Sequence, residues 1–201
     1  RRPPLAGGLL IVATMADYTV HLGFNWNSPT IGAIWGSSPD ETKRFLLYAL
    51  TTGTTAPLAG ALFNFASGDA FSFVIWDLST SAWSGDDAPQ LALYAGLAEV
   101  DAPPTTIVPS AYLRLPAGAQ VVATPPAYFW FPSITYRSPP PAGYACPWGE
   151  ARGQSVNALG PVTILADDVR FKLSFRLDAT GAQTRSFYSD PEVIIGSGGA
   201  N

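Results

Sequence analysis

From Asp17 to Asn25 the row DYTVHLGFN alternates, with Tyr18, Val20, Leu22 and Phe24 on one side and Asp17, Thr19, His21 and Gly23 on the other. A period of two is that of a strand with one buried face. The same period returns in FKLSFRLDATGAQTRSFYSDPEVIIG, where Phe171, Leu173, Phe175 and Leu177 alternate with Lys172, Ser174, Arg176 and Asp178. A turn at Thr180-Gly181 and a second run through Phe187 predict a hairpin, ended by Asp190-Pro191 before Val193-Ile195. In ALFNFASGDAFSFVIWDLS the Ser67-Gly68-Asp69 turn predicts two paired strands, with Phe71, Phe73 and Ile75 sharing a face of the second. KRFLLYALTT has helix-start chemistry before it in Ser38-Pro39-Asp40-Glu41, yet its length and β-branched flanks favour a strand. LALYAGLAEV fits either a strand or a short helix.

Proline changes the picture between Asp101 and Pro147. Pro103-Pro104, Pro109, Pro116, Pro125-Pro126, Pro132 and Pro139-Pro140-Pro141 crowd this stretch. Proline cannot donate to a central ladder, so YLRLP, AQVVAT and AYFWFPSITY are expected as short, edge-like strands joined by stiff loops. PVTILA extends the antiparallel set towards the C-terminus, and no repeat of 20–50 residues suggests a solenoid or propeller. The predicted fold is all-β: an antiparallel β-sandwich, jelly-roll or immunoglobulin-like, with little helix. Residues 15–201 are expected to form one domain. Residues 1–14 read as an upstream extension, a vector-derived remnant or the product of a mis-set start, against a genuine arm, because Met15 is the only methionine and MADYTVHLGFNWN has the look of a start.

Composition narrows the function classes. The 201 residues are 47% apolar and 13% charged, so the chain is expected to fold, and its weakly charged surface favours self-association. A net charge of -4, with Lys43 and Lys172 the only lysines, opposes a phosphate-tracking role in nucleic-acid binding. Without Arg1 and Arg2 the charge becomes -6. No stretch approaches the ~18 apolar residues of a spanning helix, which predicts a soluble protein.

Candidate chemistry is sparse. The lone His21 sits inside an alternating strand, without a G-x-S-x-G elbow anywhere in the chain, and the lone Cys146 has no identifiable activating base. No metal or cofactor site is expected, since one His and one Cys cannot build a nitrogen or sulfur cage. Asp86-Asp87 and Asp167-Asp168 read as solvated turns or as calcium ligands, outside any D-x-D-x-D-G pattern. A glycosidase pair among Asp69, Asp77 and Glu99 stays open, because such pairs meet only in three dimensions. The aromatics carry more. Trp76 and Phe129 lie in apolar runs and are expected in the core, whereas Trp26, Trp83 and Trp148 stand beside Asn, Ser, Gly or Pro in predicted loops. These three, with Asn27, Asp86 and Asp87, form the predicted contact surface.

The strand after Met15, the Gly68-Asp69 turn into FSFVIWDLS, the aromatic AYFWF and the closing RFKLSFRLDATGAQTRSFYSDPEVIIG together resemble the AidA/PixA inclusion-body protein family of bacteria. The likeness covers about half the chain loosely and about thirty residues closely; the proline-rich centre and LALYAGLAEV depart from it. It implies a bacterial, cytoplasmic, non-enzymatic β-sandwich and brings no catalytic residues with it; a secreted location also stays open. Three functions fit: a self-associating structural or accessory protein, a carbohydrate- or small-ligand-binding sandwich, and a virion or phage surface protein.

Overall fold

The alternating segments pair as strands in a computed structural model, which describes residues 15–27, 44–52, 67–80, 89–99, 109–122, 127–142, 145–155, 159–165, 171–181, 183–189 and 193–195. The strands are β1 (Asp17–Phe24), β2 (Arg44–Thr52), β3 (Ala70–Asp77), β4 (Gln90–Glu99), β5 (Leu113–Arg114), β6 (Gln120–Val122), β7 (Tyr128–Ile134), β8 (Tyr136–Arg137), β9 (Gly153–Ser155), β10 (Leu159–Ile164), β11 (Phe171–Thr180), β12 (Thr184–Tyr188) and β13 (Val193–Ile195). A four-residue helix, α1 (Pro109–Tyr112), is the one helix among the described residues. Both segments that also fitted a helix, around Arg44–Thr52 and Gln90–Glu99, are strands. The expected strand before Ser67 and the extension over residues 1–14 lie outside the described residues.

The strands follow one continuous order, β5-β10-β3-β1-β2-β12-β11-β4-β7-β6, with β9 on β3, β8 on β9 and β13 on β11. β2 turns the corner of the sandwich. Its residues 46–52 pair with β1, while Arg44 and Phe45 pair with β12. The path therefore folds into two layers, sheet A from β5 to β2 and sheet B from β12 to β6. Two pairings, β1 with β3 and β2 with β12, are parallel, so the sheets are mixed where a wholly antiparallel set was expected. Alternation fixes faces and says nothing of direction.

Between the layers lies an aromatic core. Phe73 of sheet A is fully buried and its ring stands 5.5 Å from Phe175, 6.1 Å from Phe131 and 6.5 Å from Phe129 of sheet B, and 5.4 Å from its neighbour Phe71. Tilted and edge-on contacts dominate, as the charge distribution of aromatic rings prefers. At the far end Phe24 packs on Phe187 at 5.3 Å.

Two prolines sit where the ladders break. Between Leu91–Ile134 and Leu93–Phe131, β7 carries one residue more than β4, and Pro132 lies in that bulge. Between Leu159–Phe73 and Val162–Phe71, β10 likewise gains a residue around Gly160-Pro161. A residue without an N–H is accommodated where a ladder bond is already lost. The two ends of the strand order, β5 and β6, both come from the proline-rich stretch and are two and three residues long. Residues 115–119, with Gly118 at φ 93, carry the chain from one to the other. A single short turn thus spans the open seam of the sandwich.

Candidate functional site

Strand alternation in AYFWF separates its rings: Phe129 and Phe131 enter the core, and Tyr128 and Trp130 face outward from sheet B. Register then extends the outward set across five strands. Tyr188 lies opposite Arg176, Arg176 opposite Tyr94, Tyr94 opposite Trp130, and Trp130 opposite Gln120. The four rings involved, Tyr94, Tyr128, Trp130 and Tyr188, are half-buried.

Their geometry makes a ridge. Tyr94 and Trp130 stack at 5.1 Å and 9°. Strands lie about 4.8 Å apart, so rings stacked at this spacing stand side by side with their edges outward. The Arg176 guanidinium continues the row, 5.2 Å from the Tyr94 ring centre and 5.9 Å from that of Tyr188. Arg176 is held upright by Asp178, which accepts from Nε at 2.8 Å and from Nη2 at 2.9 Å while Ser186 Oγ donates to it at 2.7 Å. That fork raises the Arg176 pKa further, and burial followed by the Asp178 charge raises that of the Tyr94 hydroxyl, which stays a proton donor. With the Arg176 side chain 45% exposed, the ion pair contributes ~0–1 kcal/mol and acts mainly to orient and to neutralise. On either side of Tyr94, β4 carries the small residues Ala92 and Gly96. Tyr128 stands across from Gly96 and meets Tyr94 at 5.8 Å and 62°. A side chain at Gly96 would bring its Cβ within 2.9 Å of Ser174 Oγ. Ser174 Oγ, from β11, therefore lies over Gly96, whose partner on the other neighbouring strand is Tyr128.

The residues expected to make contacts lie elsewhere. Trp26 is 6% exposed and belongs to the core, so it offers no free platform: its ring lies under the Arg185 guanidinium at 4.0 Å, and its backbone N–H donates to Ser79 Oγ at 2.8 Å. The loop reading failed for it because the covering residue comes from β12, distant in sequence. Asn27 is exposed, with its N–H donating to Asn25 Oδ1 at 2.9 Å. Trp148 is half-buried on the opposite face of sheet A, against Gly23, where a Cβ would stand 2.8 Å from its ring. Trp26 and Trp148 therefore do not share a surface. Trp83, Asp86, Asp87, Asp167 and Asp168 lie outside the described residues.

Asp77 and His21 are held by hydrogen bonds within the fold, and the side chain of Glu99 lies outside the described residues. Asp69 and Asp77 flank one strand and stand ~26 Å apart at ~3.3 Å per residue, too far for a glycosidase pair. Asp77 is fully buried, accepting from Tyr136 Oη at 2.7 Å and from the Ser79 N–H at 2.9 Å. Burial first, then Asp77, pushes the Tyr136 hydroxyl far above its usual range. Gly153 lets Tyr136 reach Asp77, since a Cβ there would fall on the phenol ring. No group of three or more His, Cys, Asp or Glu that could hold a metal occurs among the described residues, and burial raises the pKa of the half-buried Cys146.

His21 points away from the core but is buried together with Trp76 on the outer face of sheet A. Trp76 is thus buried as expected, but on the other side of the sheet from Phe73. Its indole N–H, which can only donate, reaches His21 Nδ1 at 3.0 Å. The histidine proton is therefore on Nε2, which donates to Thr51 Oγ1 at 2.9 Å. Both ring nitrogens are engaged, and burial lowers the His21 pKa below 6.5. A depressed folded-state value means that the unfolded chain binds the proton first. The stability contribution is complete above pH 6.5 and is lost as pH falls through the folded value. Because this is the only histidine, urea unfolding is expected to show a decline beginning near pH 6.5, ahead of carboxylate titration. A flat profile down to about pH 5, or the same decline in His21→Gln, would refute this assignment.

No protein-family model matches the chain, and no curated protein matches it in sequence. The fold defines the class: an all-β, sandwich-like protein. No helix among the described residues is long and apolar enough to cross a membrane.

Proposed function

We propose that this is a non-enzymatic binding protein that holds a neutral, hydroxyl-rich ligand, a carbohydrate, on the outer face of sheet B. The observation that carries the reading is the half-exposed row Tyr188, Arg176, Tyr94, Trp130 and Gln120, where a solvent-facing sheet surface calls for small polar side chains. Ring edges and phenol hydroxyls match a ligand that is apolar on its C–H faces and hydrogen-bonding at its rim. The cation in this row, Arg176, is already neutralised by Asp178, which favours an uncharged partner. Beside the ridge, the Ser174 and Tyr128 hydroxyl-bearing side chains flank Gly96 and add hydrogen-bonding groups for such a ligand.

Self-association is the second reading. It is favoured by the low charge content and by the closing segment, whose likeness to the AidA/PixA proteins spans β11 and β12, the strands that supply Arg176 and Tyr188. The same face would serve it, because the strands that end the sheet order are too short to template another chain.

Tryptophan emission titrated with a panel of simple sugars, beside light scattering over a concentration series, tests both. A saturable response to one sugar is expected, weakened about tenfold or more by Tyr128→Ala or Trp130→Ala. If no sugar moves the emission and the protein instead forms oligomers that Trp130→Ala disperses, the second reading replaces the first.

A further inference from the structure

The outward row on sheet B runs across its strands, and that direction bears on the shape of what it holds. Tyr188, Arg176, Tyr94, Trp130 and Gln120 come one each from β12, β11, β4, β7 and β6, every one of them opposite the next. Along the strands the bulk falls away at once: the neighbouring outward positions are Ser186 on β12, Ser174 and Asp178 on β11, and Ala92 and Gly96 on β4. β7 adds a second ring, Tyr128. Four strand spacings of ~4.8 Å carry the row over ~19 Å. A single sugar ring spans little more than one such spacing.

The row is also ordered before anything binds to it. Tyr94 and Trp130 hold each other at 5.1 Å and 9°, and the Arg176 guanidinium is packed 5.2 Å from the Tyr94 ring centre and 5.9 Å from that of Tyr188, with Asp178 fixing it by two hydrogen bonds. Side chains already held in place lose little freedom on binding, so each further contact adds to affinity. None of the five is buried, and the Arg176 side chain is 45% exposed. Sheet twist turns successive strands by about 20–25°, so the outward edges rotate from one member of the row to the next. A rigid flat ligand meets only neighbouring members, whereas a chain jointed between its rings follows the whole row. We propose, resting on the carbohydrate reading above, that the ligand is a linear, neutral oligosaccharide laid across the strands from Tyr188 to Gln120. One sugar unit matches roughly one strand spacing, so chain length, rather than a terminal sugar, sets the affinity.

The test is calorimetric titration of the full chain with linear oligomers of glucose, mannose and N-acetylglucosamine, each from the single sugar to the hexamer. In the series that binds, affinity is expected to rise about tenfold or more from the single sugar to the tetramer and to level off beyond the pentamer. Tyr188→Ala and Gln120→Ala, at the two ends of the row, are each expected to lower the ratio of tetramer to single-sugar affinity about threefold or more. Should Tyr188→Ala fail to fold, Gln120→Ala decides, because Gln120 is exposed on the short end strand β6. A single sugar that binds as tightly as its tetramer, a rise merely proportional to the number of units, or a ratio that neither end variant moves overturns the extended chain and leaves the carbohydrate reading standing. Binding of no member of any series overturns both.

Discussion

Phe73→Ala is expected to lower the unfolding free energy by about 3–5 kcal/mol, the largest single-residue loss in this protein. Phe73 is fully buried and touches one ring of its own sheet and three of the facing one. Alanine would remove the contact that joins the layers at their centre, and the four surrounding rings cannot collapse into the space without leaving their edge-on arrangements. Since a domain is typically stable by only 5–15 kcal/mol, the variant is expected to be partly unfolded at physiological temperature. Urea unfolding followed by near-ultraviolet circular dichroism checks this. A loss under about 1 kcal/mol would mean that the layers do not meet at Phe73.

Tyr136→Phe is expected to cost about 2–4 kcal/mol, although it removes one oxygen and no packing volume. The magnitude comes from what is left behind. Asp77 Oδ2 loses a donor at 2.7 Å in a place with no solvent exposure, and the phenylalanine ring still occupies the space beside Gly153 that a water would need. Asp77→Ala in the Tyr136→Phe background should then cost less than Asp77→Ala alone, since the hydroxyl is already gone. Denaturant unfolding of the two single variants and the double variant measures this coupling. Additive losses would show that the bond seen between Tyr136 and Asp77 does not hold this end of the sandwich.

Much of the fold was legible because each strand states its two faces locally. DYTVHLGFN places Val20, Leu22 and Phe24 inside, and RFKLSFRLD does the same for Leu173, Phe175 and Leu177. The prolines were informative in part: YLRLP and AQVVAT supply the two short ends of the sheet order, whereas AYFWFPSITY, also expected at an edge, forms β7 between β4 and β6, and Pro132 and Pro161 lie where the ladders bulge. The candidate site was legible only in part. Alternation within AYFWF already separates Tyr128 and Trp130 from Phe129 and Phe131. Their partners Tyr94, Arg176 and Tyr188 come from strands far apart in the chain, and their assembly depends on a β12-β11-β4-β7 order that no local pattern encodes. Trp26 shows the same limit from the other side. A loop tryptophan next to asparagine reads as exposed until β12, about 160 residues on, lays Arg185 over it.

The corner strand β2 also sets a timetable for a chain made from its N-terminus. β1, β2 and β3 are all synthesised by Asp77, but the layer that covers their inner faces requires β4, β7 and β11, and Arg44 and Phe45 find their partners only when β12 appears. Roughly a hundred residues separate the two events, about 5–20 s at ordinary elongation rates. Throughout that interval Leu22, Phe24, Phe71 and Phe73 form an uncovered apolar sheet on the nascent chain. Escape from aggregation then rests on how fast the ribosome delivers the last hairpin, and a slowed translation of β11 and β12 would lower the yield of native protein without altering its stability.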